Sequence, residues 1–437
     1  MESPSRYRST SLLRSLHSSC YSLLVLLLII LLSGTIPIPV VSLGINYGQI
    51  ANNLPTPDKV VPLIKSIGAT KVKLYDADPK VLKAFAKTGI EFTVTVGNDL
   101  LPQFAKDPKQ AIDWVKKNVQ CYLPDTNITC ILIGNEVLGF DDKTLTSSLL
   151  PAMQNMHSAL QSLDLDSNVW VTTAHNLAIL ETSYPPSAGA FKQDLSSLMS
   201  QILTFHAKTG SPFLINAYPY FAYKANPEEV NLDYVLFQAK TNQILVDPDS
   251  DLHYDNMLVA QVDAVYYAMG PNFNKKVLVQ VSETGWPSKG DEDEIGATPE
   301  NAKKYNGNLI KLVKAQNKGT PMKPNCDLNV FVFALFNENM KPGPTSERNY
   351  GLFKPDGTAA YSLGFSTIQA VGNASTSTDG ATGPSSIGTF GGGGGDGSGG
   401  DGSSSNGYLS ISFSTERYPS VGLSVTSLVV MVTLLVL

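Results

Sequence analysis

Two apolar runs in this chain stop abruptly at a glutamate. Residues 277–288 read VLVQVSETGWPS, and residues 128–136 read ITCILIGNE. Runs that apolar are strands covered on both faces, as in a parallel sheet. With period-two alternation Glu283 shares a face with Val281, Val279 and Val277, so it is expected to be the last inward side chain before a loop. Glu136 closes the other run behind Gly134 and Asn135. Two carboxyls at two strand ends can divide one task, in which one protonates a leaving glycosidic oxygen and the other attacks the anomeric carbon. Asn135 adds an amide that can donate to a sugar hydroxyl or to a carboxylate, although Asn more often closes a turn. Asp76, in LYD, ends a third run and is a rival carboxylate.

Other chemistries have less to work with. Beyond the N-terminal leader the histidines are His157, His175, His206 and His253, with no close pair for metal ligation. No GxSxG elbow is present for a serine hydrolase. The glycine run at 391–395 follows no strand and opens no helix, so it is not a phosphate loop. No metal and no cofactor are expected. The formal charge of -6 argues against a nucleic-acid partner and suits a neutral polysaccharide.

Aromatic residues gather where the strands should end: Tyr47, Tyr75, Tyr218 with Tyr220 and Phe221, Trp286, and Phe336. Flat rings with polar tips fit sugar faces. Any one of these rings is more often core than ligand. Their repetition makes Tyr75, Tyr218, Trp286 and Phe336 candidates for substrate binding, with Tyr218 and Trp286 foremost.

The motifs LIGNE, VSETGWPS, NAYPYF, FALFNEN and NYGLF, in this order, resemble those of plant glycoside hydrolases of family 17, the endo-β-1,3-glucanases. The resemblance covers residues 43–365. It implies a retaining hydrolase of β-1,3-glucan, a callose-like wall polysaccharide, with Glu136 as acid/base and Glu283 as nucleophile. For retention the two carboxyls should stand about 5 to 5.5 Å apart. Repulsion from Glu283 should then keep a proton on Glu136. The resemblance further implies a charged, substrate-binding network of Glu338, Lys341 and Glu347 beside the nucleophile, whose bland alternative is an exposed ion cluster. It places Asp76 in the cleft without a catalytic role. A glucan-binding protein without catalysis and a glucan transglycosylase remain as alternatives. A monomer is expected. Many relatives carry a cysteine-rich carbohydrate-binding module after the barrel; no cysteine follows Cys326, so that module is expected to be absent.

The elements that must hold these residues alternate short apolar runs with amphipathic segments, the rhythm of a βα sheet. Strands are expected at 43–47, 71–75, 91–96, 128–134, 168–173, 212–217, 276–282 and 329–336, and helices between them, for example at 57–67, 79–88, 108–121 and 145–163. Eight such strands imply an α/β fold, a closed (β/α)8 TIM barrel, with Glu136 ending the fourth strand and Glu283 the seventh. Residues 221–274 exceed what a plain βα unit needs and read as a small inserted subdomain, with a tolerated surface insertion as the alternative.

Outside the barrel, residues 1–42 carry early arginines, an apolar run and small residues, the order of a secretory signal that ends after Ser42. Residues 366–405 are Gly- and Ser-rich and read as a flexible linker. Residues 406–437 then give a polar spacer and an apolar tail, which reads as a propeptide removed on attachment of a GPI lipid at Ser404, or at Ser403 or Ser405. A C-terminal membrane span is the rival reading. These signals place the chain at the outer face of the plasma membrane, against the wall. Asn127 and Asn373 head glycosylation acceptor triplets. Cys121, Cys130 and Cys326 are expected to be free and buried.

Overall fold

The computed structural model describes residues 43–315 and 319–363. The expected signal (1–42) and the expected linker and attachment segment (366–437), and with them Asn373 and Ser403 to Ser405, lie outside the described residues. Eight parallel strands close into one barrel. We number them β1 (Leu43–Tyr47), β2 (Ala69–Leu74), β3 (Glu91–Val96), β4 (Asn127–Asn135), β5 (Trp170–Asn176), β6 (Phe213–Asn216), β7 (Val279–Thr284) and β8 (Val330–Val332). Each pairs with its sequence neighbour and β8 closes on β1, so the fold is a (β/α)8 barrel.

The helices between them start where the sequence places proline and a capping carboxylate. Pro57, Pro79 and Pro108 occupy first turns, where a missing N–H costs nothing. Asp78 and Asp107 cap the second and third of these by accepting from the N–H groups of Lys80 and Lys109. The helices bury one stripe each, such as Val60 with Ile64 and Ala111 with Val115, against the outward side chains of the strands.

Register shows which strand residues face inward. Asn46 is level with Lys73 and Lys73 with Thr93, while Ala174 is level with Leu214 and Leu214 with Gln280. These residues form the barrel's inner face; Val279 and Val281 belong with the helix-facing core. Glu283 is therefore not inward by alternation with Val281, as the sequence pattern suggests. In β7 the two steps from Val281 to Glu283 oppose one step of β6, from Ile215 to Asn216, and this extra residue turns Glu283 to the inner face. In β4 the three steps from Leu132 to Asn135 oppose two of β5, from Thr172 to Ala174. Both strands that end in the candidate carboxylates are thus irregular just before them, the kind of bulge that re-aims a side chain.

The long connection between β6 and β7 holds helices Pro219–Ala225 and Leu232–Val235, a hairpin pairing Leu245–Val246 with His253–Tyr254, and helix Met257–Met269. The last of these is buried along most of its length, as a barrel helix is, so the added material is concentrated in residues 219–254. A second hairpin pairs Leu180–Thr182 with Ala190–Phe191 after β5. It meets the first through the N–H of Ser187, which donates to Asp247 at 2.8 Å.

The three cysteines of the described residues are free, but only Cys130 is buried. Cys121 is exposed because its helix stops at Asn118 and a short 3-10 turn carries it outward; its thiol donates to the carbonyl of Lys117 at 2.9 Å. Cys326 is half-buried. Among the described residues no helix is long and apolar enough to cross a membrane.

Candidate active site

At the end of β4 the backbone takes a turn that the sequence GNE makes feasible. Gly134 has φ +67°, and a Cβ there would stand 2.6 Å from Cγ2 of Val137. Asn98 brackets the next residue: its Oδ1 accepts from the N–H of Asn135 at 2.8 Å and its Nδ2 donates to the carbonyl of Asn135 at 3.1 Å. Glu136 follows in the left-handed region, with φ 55° and ψ 27°. For a residue with a Cβ this costs roughly 1 to 2 kcal/mol. Such strain persists where surroundings fix the chain, and it collects at functional sites.

The side chain of Glu136 is 5% exposed. Its Oε1 accepts from Nδ2 of Asn216, the last residue of β6, at 2.7 Å, and its Oε2 from Nδ2 of Asn176, the last residue of β5, at 3.2 Å. Glu283 is 1% exposed and has stronger partners. Nζ of Lys73, inside the barrel on β2, donates to its Oε1 at 2.7 Å, and the hydroxyl of Tyr75 donates to the same oxygen at 2.8 Å. The hydroxyl of Tyr218 donates to Oε2 at 2.9 Å. Asn216 links the two carboxylates, because it binds Glu136 while standing in register with Glu283.

These surroundings push the two acids apart. Burial raises Glu136 to about 7, the negative charge of Glu283 adds to the rise, and the amides of Asn216 and Asn176 only partly oppose it. Burial acts on Glu283 in the same direction but is overcome by the charge and hydrogen bond of Lys73, the hydroxyl of Tyr75 and the charge of Lys341, so its carboxyl lies below the ordinary glutamate value. One carboxyl keeps a proton near neutrality while the other is ionised, the division of labour that acid and nucleophile need.

The charged cluster implied by the sequence motifs is present, with Glu338 and Lys341 buried and Glu347 nearly so. Nζ of Lys341 lies 3.3 Å from Oε2 of Glu347 and 4.2 Å above the ring of Phe333. Glu338, 4% exposed, accepts from the N–H of Ile50 at 2.6 Å. Burial raises both Glu338 and Glu347 above the ordinary value, against the pull of Lys341. A cluster this dry is not the exposed one of little energetic weight.

Two hollows adjoin at Lys341. One, about 230 Å³, holds Glu136, Glu283, Asn216, Tyr218 and Phe333 and extends past Phe221 to Gln261, whose Oε1 is buried and has no hydrogen-bond partner. The other, about 900 Å³, is lined by Tyr47, Tyr75, Asp76, Asn135, Trp114 and Glu338 among others. Together they give a groove with space on both sides of the carboxylates, walled by rings and by unsatisfied polar atoms, Oδ1 of Asn135 among them. Such a groove suits a chain of sugars.

Of the sequence candidates, Tyr75 and Tyr218 do reach the site, but their hydroxyls hold Glu283. Asn135 lines the larger hollow and gives no hydrogen bond to Glu136. Asp76 also lines it and accepts from the N–H of Asp78. Trp286 is not a cleft residue: it is fully buried, its Nε1 donates to the carbonyl of Gly296 at 2.7 Å, and its ring packs on Tyr220 and Tyr305. Phe336 is likewise in the core, packed on Tyr47 and Phe353, because β8 ends at Val332 rather than at residue 336. Phe333 takes the cleft position instead. Asn127, the acceptor asparagine of the first triplet, is exposed at the start of β4.

Lys73, Asn176 and Asn216, like Phe333 and Gln261, are site residues that the sequence motifs do not single out. A lysine in the middle of the apolar strand VKL was the available signal for the first, since Lys is almost never fully buried without a partner.

Comparison with known proteins gives a consistent result. The family description Glycosyl hydrolases family 17 matches residues 43–365. The chain is 61% identical over 364 residues to glucan endo-1,3-beta-glucosidase 11 of Arabidopsis thaliana, covering 83% of this chain and 84% of that one. It is 59% identical over 365 residues to glucan endo-1,3-beta-glucosidase 10 of the same plant, with the same coverage. Among solved structures it is similar to CJP38, a beta-1,3-glucanase and allergen of Cryptomeria japonica pollen, with TM-score 0.70 and 41% identity over 75% of this chain and 99% of that one.

Proposed function

This chain belongs to glycosyl hydrolases family 17, and from that premise we propose that it cleaves internal β-1,3 bonds of callose-like glucan through a covalent glycosyl-enzyme. Glu283 attacks the anomeric carbon, and Glu136 protonates the departing glycosidic oxygen. Glu136, now ionised, then takes a proton from water as the water displaces Glu283, which restores both groups and retains the configuration. Tyr75, Tyr218 and Lys73 orient the nucleophile. Glu338, Lys341 and Glu347 hold the charge balance beside it, with Asn135 and the cleft rings toward the sugar.

The observation that carries this reading is the opposed state of two buried carboxyls at one groove, Glu136 raised to about 7 and Glu283 lowered. The relatives named as glucan endo-1,3-beta-glucosidases support the substrate class. The test is incubation of the secreted barrel with linear β-1,3-glucan and with mixed-linkage glucan, reading products by size. Shorter oligosaccharides of several lengths support internal hydrolysis; products longer than the substrate would make it a transglycosylase, and no products a binding protein.

The flanking segments support an address: secretion, then attachment through a GPI lipid at Ser404 or a neighbouring serine to the outer face of the plasma membrane. We include in the proposal a monomeric state and glycans at Asn127 and Asn373.

A further inference from the structure

Glu294 is a buried carboxylate that the reaction above does not use. Its side chain is 1% exposed and lies in the loop after β7. Four groups donate to it. Nζ of Lys224, on helix Pro219–Ala225 after β6, reaches Oε1 at 3.1 Å. The N–H of Ser346 reaches Oε2 at 2.8 Å and the Ser346 hydroxyl reaches Oε1 at 2.5 Å. The N–H of Asp291 reaches Oε2 at 3.0 Å. Asp291 in turn accepts from the N–H of Thr345 at 2.9 Å and from its hydroxyl.

The clamp therefore ties together the segments that follow β6, β7 and β8. Its grip falls on one short turn, Thr345–Arg348. Glu347 stands in that turn and is the ion-pair partner of Lys341. Arg348, at its end, donates to the carbonyls of Lys341 and Gly343, which ties the turn to the segment bearing Lys341. We infer that Glu294 is a positioning residue: by fixing the turn it holds Glu347 against Lys341 and so keeps that ammonium beside Glu283. The inference rests on the reading of Glu283 as nucleophile. A displacement of about 1 Å in a positioned group can cost about a hundredfold in rate.

The charged and titratable groups facing Glu283 are Lys73 and Tyr75 at β2, Glu136 after β4, Tyr218 after β6, and Glu338, Lys341 and Glu347 after β8. Those facing Glu294 are Lys224 and Tyr220 after β6, Asp291 after β7, and Glu347 and Tyr350 after β8. The charge of Glu294 raises Glu347, so deleting that charge alone would make Glu347 easier to ionise and tighten its hold on Lys341. A lost position has the opposite effect: Lys341 drifts, and Glu283 becomes harder to ionise.

The experiment is the pH profile of kcat/KM on β-1,3-glucan for wild type, Glu294→Ala, Lys341→Met and the double variant. We expect the acidic limb of Glu294→Ala to move up by about half a pH unit or more, with kcat/KM at the optimum down roughly tenfold. The double variant should move no further than Lys341→Met. Glu294→Gln, which keeps an acceptor for Ser346, should recover most of the rate, and Ser346→Ala should give a weaker shift in the same direction even where Glu294→Ala fails to fold. An unmoved or lowered limb, or a shift that adds to that of Lys341→Met, overturns the inference. Failure of the underlying reading would look different, as a wild-type enzyme without an acidic limb, and would take this inference with it.

Discussion

Nζ of Lys73 lies 2.7 Å from Oε1 of Glu283, with 0% and 2% of the two side chains exposed, although β2 and β7 are separated by β1 and β8 around the barrel. The pair crosses the barrel interior, where neither side chain is open to solvent. Removing one partner of such a pair costs roughly 3 to 5 kcal/mol, because it leaves a buried charge uncompensated. Lys73→Met should therefore lower the melting temperature and drive Glu283 toward its protonated form. The acidic limb of kcat/KM should move up, since activity needs the ionised nucleophile and would be lost at a higher pH as pH falls. Calorimetry together with the pH profile checks this; an unmoved limb would mean that Lys73 is only structural.

The wild-type profile itself should be bell-shaped. Glu283 lies below its usual value of 4.5, so the acidic limb should fall below that pH. Glu136 must be protonated to act, and it titrates near 7, so activity should decline as pH rises through about 7. Stability carries the same signature. A carboxyl whose folded value is raised stabilises the fold relative to neutral pH only while protonated, and that contribution is lost between about 4.5 and 7 as pH rises. Glu136→Gln should remove this slope and raise neutral-pH stability, by at most about 3 kcal/mol. A flat difference in melting temperature between pH 5 and 8 would contradict the assignment.

The barrel was legible because eight short runs with an apolar helix-facing side recur between amphipathic segments, even though Asn46, Lys73 and Thr93 make part of the inner face polar. The expected ranges for β1 and β3 coincide with the observed ones, and both carboxylates stand at strand ends as the LIGNE and VSET runs suggest. The inward aim of Glu283 was not legible, because it depends on the bulge between Val281 and Glu283, and a bulge shows only when the neighbouring strand is in view. The core positions of Trp286 and Phe336 were not legible for a related reason. Both lie beyond irregular strand ends, where period-two alternation no longer tells which way a ring points. Asn216 and Asn176 each end a strand with an ordinary polar residue, and only their convergence on Glu136 gives them a role.

The thiols should differ in reactivity. Cys121 is exposed and should react with a thiol reagent in the folded protein, whereas Cys130 is buried, with its thiol pushed up to about 12, and should react only after denaturation. Labelling followed by peptide mass spectrometry separates them. A bridge between Cys121 and Cys130 would contradict the free thiols.

The address can be checked on cells. A phospholipase that cuts glycolipid anchors should release the protein from the membrane fraction. Protein that stays behind after such treatment would favour a membrane-spanning tail.

The two carboxylates should fail in different ways when replaced. Glu283→Ala removes the attacking group, so hydrolysis of natural glucan should drop by a factor of roughly 10⁴ or more. Azide added to this variant should restore turnover of an activated glycoside with inverted configuration, because the anion enters the face that Glu283 leaves vacant. Glu136→Ala keeps the nucleophile with its Lys73, Tyr75 and Tyr218 partners but loses the proton donor. That loss matters little when the leaving group is an acidic phenol, so the first step should persist and the glycosyl-enzyme should accumulate. Azide should then release the sugar with retained configuration. The trapped sugar should sit on a peptide containing Glu283. The assignment is overturned if the two variants show each other's behaviour, or if the sugar is found on Glu338.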